Sequence, residues 1–514
     1  MTSNKMNREH SRLLNVHAWS EHKLVSDLVD KVFLSLSEVE QQRLVGRSAN
    51  KGKSDMMRHL RVVLVDLYAG WKIDPTLCTA VGRSNNDYEA GSRYNALHIS
   101  KRIVKVYDAL FDHGYVDMIK GGYNREAPHL SRKTRYRPTG KLQALFAEVG
   151  LETYQLSLQE NQECIVLRNK EPDDGKANDI PYVDTNLTQS MRHEVQAYNN
   201  MMTKHYVDVI NLSEPYIVRE KIVKGKPQTQ HILVDQSAKF TRRIFSRGDW
   251  EMNGRWYGGF WQNLSKEHRQ YIHIDDEVTD EVDYSALHPS ILAHQQGVEL
   301  TSDPYMLDRQ VTKAIPMEKQ RSVVKGLVLV SINAKDREGA VKAFQKAKKG
   351  YKKADLLALL DAFVEKHPYL SDSLCSDKGI RLMYIDSQIT THIINEFVAL
   401  DKPILPIHDS YVVKVSDREL LRGAMRKASI AVLGVDLEAV SKFDERLGFK
   451  TLDAKPSELE AERAVDDIDA QYFEGTEEYL ERYRKWFEHM YPDQEWSSYK
   501  LAALEGLSSN RDGW

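Results

Sequence analysis

Cysteine is scarce in this chain: Cys78, Cys164 and Cys375 stand far apart, with no CxxC pair among them. That excludes a zinc knuckle built on paired cysteines and a disulfide framework, and it suits a reducing cytoplasm. Long apolar runs are missing as well. Nothing approaches the length of a membrane span, and the opening MTSNKMNREHSRLLNVHAWSEHK lacks the apolar segment of a signal peptide. The expectation is a soluble cytoplasmic protein with no membrane partner. Nor is there an excess of one charge. Lys and Arg number 72 against 75 Asp and Glu, for a net charge of −3, so the total says little about partners. The distribution says more: residues 101–141 are basic, and the stretch beyond Thr451 is acidic. At 514 residues, 41% apolar and 29% charged, the chain has an ordinary soluble composition and the length for about two to four domains.

Residues 1–95 read as helical and irregular, with one amphipathic stripe at Leu60, Val63, Leu64, Leu67 and Tyr68 that Gly70 is expected to end. Residues 96–150 read as a module. Ile103, Val106, Tyr107, Leu110 and Phe111 have helical spacing, Gly114 is a stop, Tyr115–Ile119 alternates as a strand, and SRKTRYRPT is a return strand. Helix, strand, loop and basic strand follow the order of a winged helix. Arg132, Lys133, Arg135 and Arg137 would then lie on or near the wing, placed to meet nucleic-acid phosphates. A small helix-hairpin module with a solvated basic face fits the same pattern. Residues 151–230 form a connector, in which NKEPDDGKANDIPYVDT reads as an exposed loop before a helix. Residues 231–450 hold the informative motifs, and 451–514 read as an acidic helical segment.

Four segments between Lys239 and Lys414 bear on chemistry. In VTDEVDYSALHPSILAHQQG a strand ends at Asp283, and a helix follows from Ala286 to Gln296, with Pro289 in its first turn and Gly297 at its end. A carboxylate between a strand end and a helix N-terminus can hold a divalent cation against phosphates; an Asp there is also an ordinary helix cap. In KPILPIHDSYVVKV the apolar runs Ile404–Ile407 and Tyr411–Val413 flank His408-Asp409-Ser410, a hairpin with a polar tip. Burial of Asp409 between the strands would demand a metal or a cation, whereas a turn Asp facing water would not. In EKQRSVVKGLVLVSINAK, Arg321, Lys325, Leu329 and Asn333 form one helical stripe, and the apolar remainder predicts a largely buried helix. Two cations on such a helix need anionic company, from a triphosphate or from carboxylates. In NGRWYGGFWQNLS, Gly258 and Gly259 among aromatics indicate a close backbone approach; core packing explains the aromatics equally.

Taken in the order they occupy along the chain, the four segments resemble the family A DNA polymerases and the related single-subunit phage-type RNA polymerases. DYSALHPSILAHQQG is similar to their motif A, RSVVKGLVLVSINA to motif B with its Arg-x3-Lys spacing, PIHDSYVV to motif C, and GRWYGGFWQNLS to the segment before motif A. The resemblance implies an α+β right-hand polymerase, with an antiparallel palm sheet, helical fingers and thumb, preceded by the helical and winged-helix-like N-terminal region. It implies a template-directed, two-metal nucleotidyltransferase, here a DNA polymerase whose partners are a DNA template, a primer and nucleoside triphosphates. Asp283 and Asp409, with the carbonyl of Tyr284, would hold two Mg²⁺ ions (or Mn²⁺). Arg321 and Lys325 would meet the β and γ phosphates, and Leu329, Asn333 and His288 would complete the nucleotide site. His408 would touch the primer terminus, and Arg255, Gln262 and Asn263 would contact primer and template.

The departures bear on the product. His288 stands where family A has a Glu that blocks the ribose 2′-hydroxyl, and a bulky residue there favours deoxynucleotides. Leu329 and Asn333-Ala334 replace the aromatic and the Tyr-Gly of motif B, and Ser410 follows Asp409 as in the RNA polymerases. An RNA-synthesising polymerase or primase is therefore the nearest alternative, and a non-catalytic winged-helix replication protein the alternative from another class. The family's exonuclease-like and promoter-binding domains are not legible in residues 1–230, which by architecture implies a replication or priming enzyme of a phage, plasmid or other mobile element.

Overall fold

The computed structural model describes residues 6–442 and 475–496, apart from 47–48, 127–130, 157–161, 171–176 and 224–225. Much of the acidic C-terminal stretch (451–474 and 497–514) and residues 171–176 of the 169–185 segment lie outside the described residues. That segment is not wholly a loop as expected, since 169–170 and 177–179 belong to the paired strands Ile165–Lys170 and Ala177–Asp179. The chain is a mixed α/β protein with several sheets. Among the described residues no helix is long and apolar enough to cross a membrane.

The N-terminal part packs five helices (Lys23–Ser35, Glu38–Val45, Ala49–Ile73, Arg102–Asp112 and Gly140–Val149) around a four-stranded sheet. Its strand order is Ser11–Leu13, Cys78–Val81, Thr134–Pro138, Val116–Ile119. The helical spacing noted in the sequence is buried: Leu60, Val63, Leu64, Leu67 and Tyr68 share one core with Ile103, Val106, Tyr107 and Leu110. The core runs without a break across residue 95. Gly70 does not stop its helix, which continues to Ile73. Its missing side chain instead admits Arg12, whose Nε lies 3.0 Å from where a Cβ would be. Gly114, at φ 70°, does follow a helix end. The next strand, Val116–Ile119, pairs antiparallel with Thr134–Pro138, a hairpin extended by the Gly122–Arg132 bridge.

The second part is organised by an antiparallel sheet in the order Leu405–Ile407, Ser410–Lys414, Glu277–Tyr284, Ile272–Ile274, Val207–Val209. The short strand Ala439–Ser441 lies beside the end of Glu277–Tyr284, on the edge away from Ser410–Lys414. A second sheet runs Asp249–Gly258, Thr241–Ser246, Ile165–Lys170, Ala177–Asp179. The helix Gly379–Ala399 packs along Asp249–Gly258 and against the helix Arg418–Leu433. Trp256 and Trp261 are fully buried in the same core as Ile393, Phe397 and Tyr411. Three further helices, Met317–Asn333, Arg337–Ala347 and Lys353–Lys366, pack on one another.

The last described helix, Glu477–Met490, returns to this sheet. Tyr479, Tyr483, Trp486 and Phe487 form a third core cluster with Tyr206 and Ile210. Arg482 reaches Asp208 at 3.0 Å, where the carboxylate is 1% exposed. Burial pushes the Asp208 carboxyl up, and Arg482 opposes it.

Candidate active site

Two strands bring Asp283 and Asp409 together. Glu277–Tyr284 pairs antiparallel with Ser410–Lys414, and Asp283 lies opposite Ser410. Asp409 is the next residue, in the two-residue tip between Ile407 and Ser410, and its carbonyl accepts a hydrogen bond from Tyr284 N–H at 3.3 Å. His408 makes that tight tip possible by adopting φ 60°. The tip is exposed, so of the two readings of Asp409, buried between apolar strands or in a turn that faces water, the structure has the second. The pairing register, not burial, is what couples the two carboxylates. Burial holds Asp283 above the ordinary carboxylate range, Lys442 opposes, and the nearby Asp409 and Glu281 add to the rise.

Glu281 shares a strand face with Asp283, two residues before it. Its carboxylate accepts from Arg269 Nε and Nη2, both at 3.0 Å, from Ser410 Oγ at 3.0 Å and from Lys442 Nζ at 2.5 Å. Against the cost of burial, these cations pull its carboxyl down to about 2. Lys442 Nζ also lies 3.5 Å from Asp283 Oδ2.

Arg255 links two further groups near the pair. Its Nε donates to Asp386 Oδ2 at 2.5 Å, and its Nη2 lies 3.3 Å from His288 Nε2. Burial, with Arg255 second, lowers His288 to about 4, so its ring is neutral at pH 7 and accepts from the guanidinium. Asp386 is fully buried in the helix Gly379–Ala399, and its Oδ1 lacks a partner. Burial pushes its carboxyl up, Arg255 opposes, and Asp409 adds to the rise, which places Asp386 within electrostatic reach of the hairpin tip.

The helix Met317–Asn333 is amphipathic and not largely buried. Val323, Val324, Leu327 and Val328 face the core, while Arg321, Lys325 and Asn333 are exposed. Arg321 pairs with Asp303, and Lys325 Nζ lies 5.9 Å from the Tyr305 ring centre. Burial, then the charges of Asp303 and Asp409, raise the Tyr305 hydroxyl. Asn333 donates back to the Leu329 carbonyl at 2.9 Å and lies against Gly379, where a Cβ would meet its Oδ1 at 1.9 Å.

As a donor set, Asp283 and Asp409 offer hard oxygens, and Asp283 is 35% exposed. Among the described residues no group of three or more His, Cys, Asp or Glu could hold a metal ion by itself. Two carboxylates nevertheless fit Mg²⁺, which is usually held by one or two protein carboxylates plus water and substrate phosphates.

No protein-family model matches this chain, and no curated protein matches it. Among solved structures, it is similar to the POL domain of Pol1 from M. smegmatis in complex with DNA primer-template and dNTP. The TM-score is 0.27, the identity 11%, and the match covers 83% of this chain and 66% of that one. A likeness this low carries no argument. The site stands on its own geometry.

The remaining sequence candidates lie apart or are engaged. Gln262 is spent on the backbone: its amide donates to the carbonyls of Trp256 (3.0 Å) and Pro406 (2.8 Å) and accepts from Gly258 N–H (3.1 Å). Asn263, beside it, is exposed. Gly258, at φ 122°, lies where a Cβ would meet the Phe240 carbonyl oxygen at 2.2 Å, so the close approach is internal. In the N-terminal hairpin Arg137 pairs with Asp117 (3.2 Å), Lys133 with Asp87 (3.5 Å), and Arg135 bonds Ser11 Oγ (3.0 Å). Arg132 lies at the Gly122 bridge. Sequence reasoning passed over Glu281, Arg269, Lys442, Asp386, Asp303 and Tyr305. Only Glu281 carried a usable signal, its two-residue offset from Asp283 on a strand.

Proposed function

We propose that this chain is a template-directed nucleotidyltransferase with a right-hand polymerase architecture, extending a primer on a DNA template from nucleoside triphosphates. The observation that carries the reading is the meeting of Asp283, near the end of one strand, with Asp409, in the hairpin tip that leads into the strand paired to it, together with the exposed Arg321 and Lys325 on one helix face. In this reading the antiparallel sheet is the palm, and Met317–Asn333 with its neighbouring helices forms the fingers. Asp283, Asp409 and the Tyr284 carbonyl are the ligands for two Mg²⁺ ions. When bound, such a pair stabilises the charge on the attacking and leaving oxygens of an in-line displacement.

The chain's own groups do the rest. Arg321 and Lys325 bind the β and γ phosphates and neutralise charge as it develops there. His288, neutral and held by Arg255, presents a fixed ring to the sugar and favours deoxynucleotides. Leu329 and Asn333 lie further along the nucleotide helix. His408 meets the primer terminus, and Arg255 and Asn263 face the primer and template, with Gln262 holding the backbone beneath the hairpin. The N-terminal hairpin, with Arg132, Lys133, Arg135 and Arg137, meets phosphates of the same nucleic acid.

The test is extension of a labelled primer on a DNA template with Mg²⁺, with dNTPs and NTPs in parallel and Asp283→Ala and Asp409→Ala as controls. Copying from dNTPs that both substitutions abolish is the expected result. Copying from NTPs would reassign the chain to RNA synthesis or priming. DNA affinity without Mg²⁺-dependent triphosphate binding would make it a non-catalytic replication protein.

A further inference from the structure

The carboxylate pair has a neighbour of opposite charge that the reaction above does not use. Lys442 directly follows the strand Ala439–Ser441, which is paired to the Asp283 strand with Val440 opposite Asp283 and Ser441 opposite Val282. Ser441 Oγ donates to Asp280 Oδ2 at 2.7 Å and pins that strand end. The ammonium that follows is placed by two anions, at 2.5 Å from Glu281 Oε1 and 3.5 Å from Asp283 Oδ2. It is 17% exposed, so water screens it only in part.

The two anions play different parts. Both Glu281 oxygens accept: Oε1 from Arg269, Ser410 and Lys442, and Oε2 from Arg269. It therefore serves as the anchor that keeps Lys442 in place. Asp283, more open at 35% exposed, is the group a divalent cation would approach. Any cation that binds there meets a fixed positive charge close by, delivered by the strand next to Asp283 itself.

We propose that Lys442 is a built-in counter-cation of Asp283 that holds down the affinity of the Asp283–Asp409 pair for a divalent cation. The inference rests on the metal-binding reading of that pair and deepens it. A weak free-standing site fills efficiently only when a triphosphate adds its own negative charge, so metal loading becomes tied to nucleotide arrival. Lys442 is thus a positioning and tuning residue, anchored by Glu281, and not a ligand.

Mn²⁺ binding to the full chain without nucleotide, followed by the loss of the free-ion electron paramagnetic resonance signal, tests this without any activity readout. Lys442→Met and Lys442→Gln should each tighten the Mn²⁺ Kd by roughly tenfold, the scale of one partly screened charge beside a divalent ion. Lys442→Arg should bind as the unaltered chain does, and Asp283→Asn added to Lys442→Met should cancel the gain. Thermal melts of each variant identify any that has lost its fold, and the two neutral replacements guard against one failing. An unchanged or weaker Kd in folded Lys442→Met and Lys442→Gln overturns the inference alone. Absence of Mn²⁺ binding in all of the folded proteins overturns it together with the metal reading.

Discussion

Replacing Glu281 by Gln keeps the shape of the side chain and removes the charge on which Arg269 and Lys442 converge. The magnitude follows from the carboxyl's displacement, from an ordinary 4.5 down to about 2. At 1.36 kcal/mol per pKa unit this is roughly 3 kcal/mol of folded-state preference for the ionised form. Screening removes little of it, because the side chain is 9% exposed. The folded value lies below the unfolded one, so this stability is present above about 4.5 and drains away as pH falls toward 2. Urea denaturation, followed by the fluorescence of the buried Trp256 and Trp261, provides the assay. Glu281→Gln should cost about 3 kcal/mol at pH 7 and roughly half of that at pH 3. A cost below about 1 kcal/mol at pH 7, typical of an exposed ion pair, refutes the reasoning, as does a cost that stays constant toward pH 3.

Arg482→Ala strands the Asp208 carboxylate, 1% exposed, without its cation, and should lower stability by about 3–5 kcal/mol in a denaturant melt, with Asp208→Asn in the same chain recovering part of the loss. Arg321→Ala and Lys325→Ala alter exposed side chains, so melting temperatures should hold while the KM for triphosphate in primer extension rises by about tenfold or more, the value of one charge-assisted hydrogen bond. Gly258→Ala places a Cβ 2.2 Å from the Phe240 carbonyl oxygen at φ 122°, and a thermal melt should report a loss of about 2 kcal/mol or more.

The elements that hold the site were legible because local patterns decide them. Asp283 closes a strand, Leu287–Gln295 follows with Pro289 in its first turn, and His408-Asp409 is the polar interruption between two apolar runs. The four-residue stripe of Arg321, Lys325, Leu329 and Asn333 marked one helix face correctly, but its exposure was misjudged. Apolar residues on the remaining faces do not reveal how many of those faces a neighbour covers. The groups that surround the carboxylates were not legible. Asp386 comes from a helix 131 residues beyond Arg255, and Lys442 lies 161 beyond Glu281. Sequence spacing carries no information about such meetings. Gly70 shows the same limit in small form: it reads as a helix stop and is in fact room for the distant Arg12 side chain, whereas the close backbone approach read at Gly258 is present, against the Phe240 carbonyl.

The sheet that bears Asp283 is assembled from widely scattered pieces of the chain, at residues 207–209, 272–284, 405–414 and 439–441, and is backed by 477–490. During synthesis the first of these strands leaves the ribosome some 270 residues ahead of the helix whose Arg482 neutralises Asp208. Until that helix arrives, Tyr206 and Ile210 lack their aromatic cover, and an acidic group sits on the surface they form. Pairings of this separation close slowly, and partly built sheets are prone to aggregate. A nascent protein cannot hold Asp283 and Asp409 in register until the strand near 410 has emerged, and Lys442 reaches Asp283 only when the strand near 440 has followed.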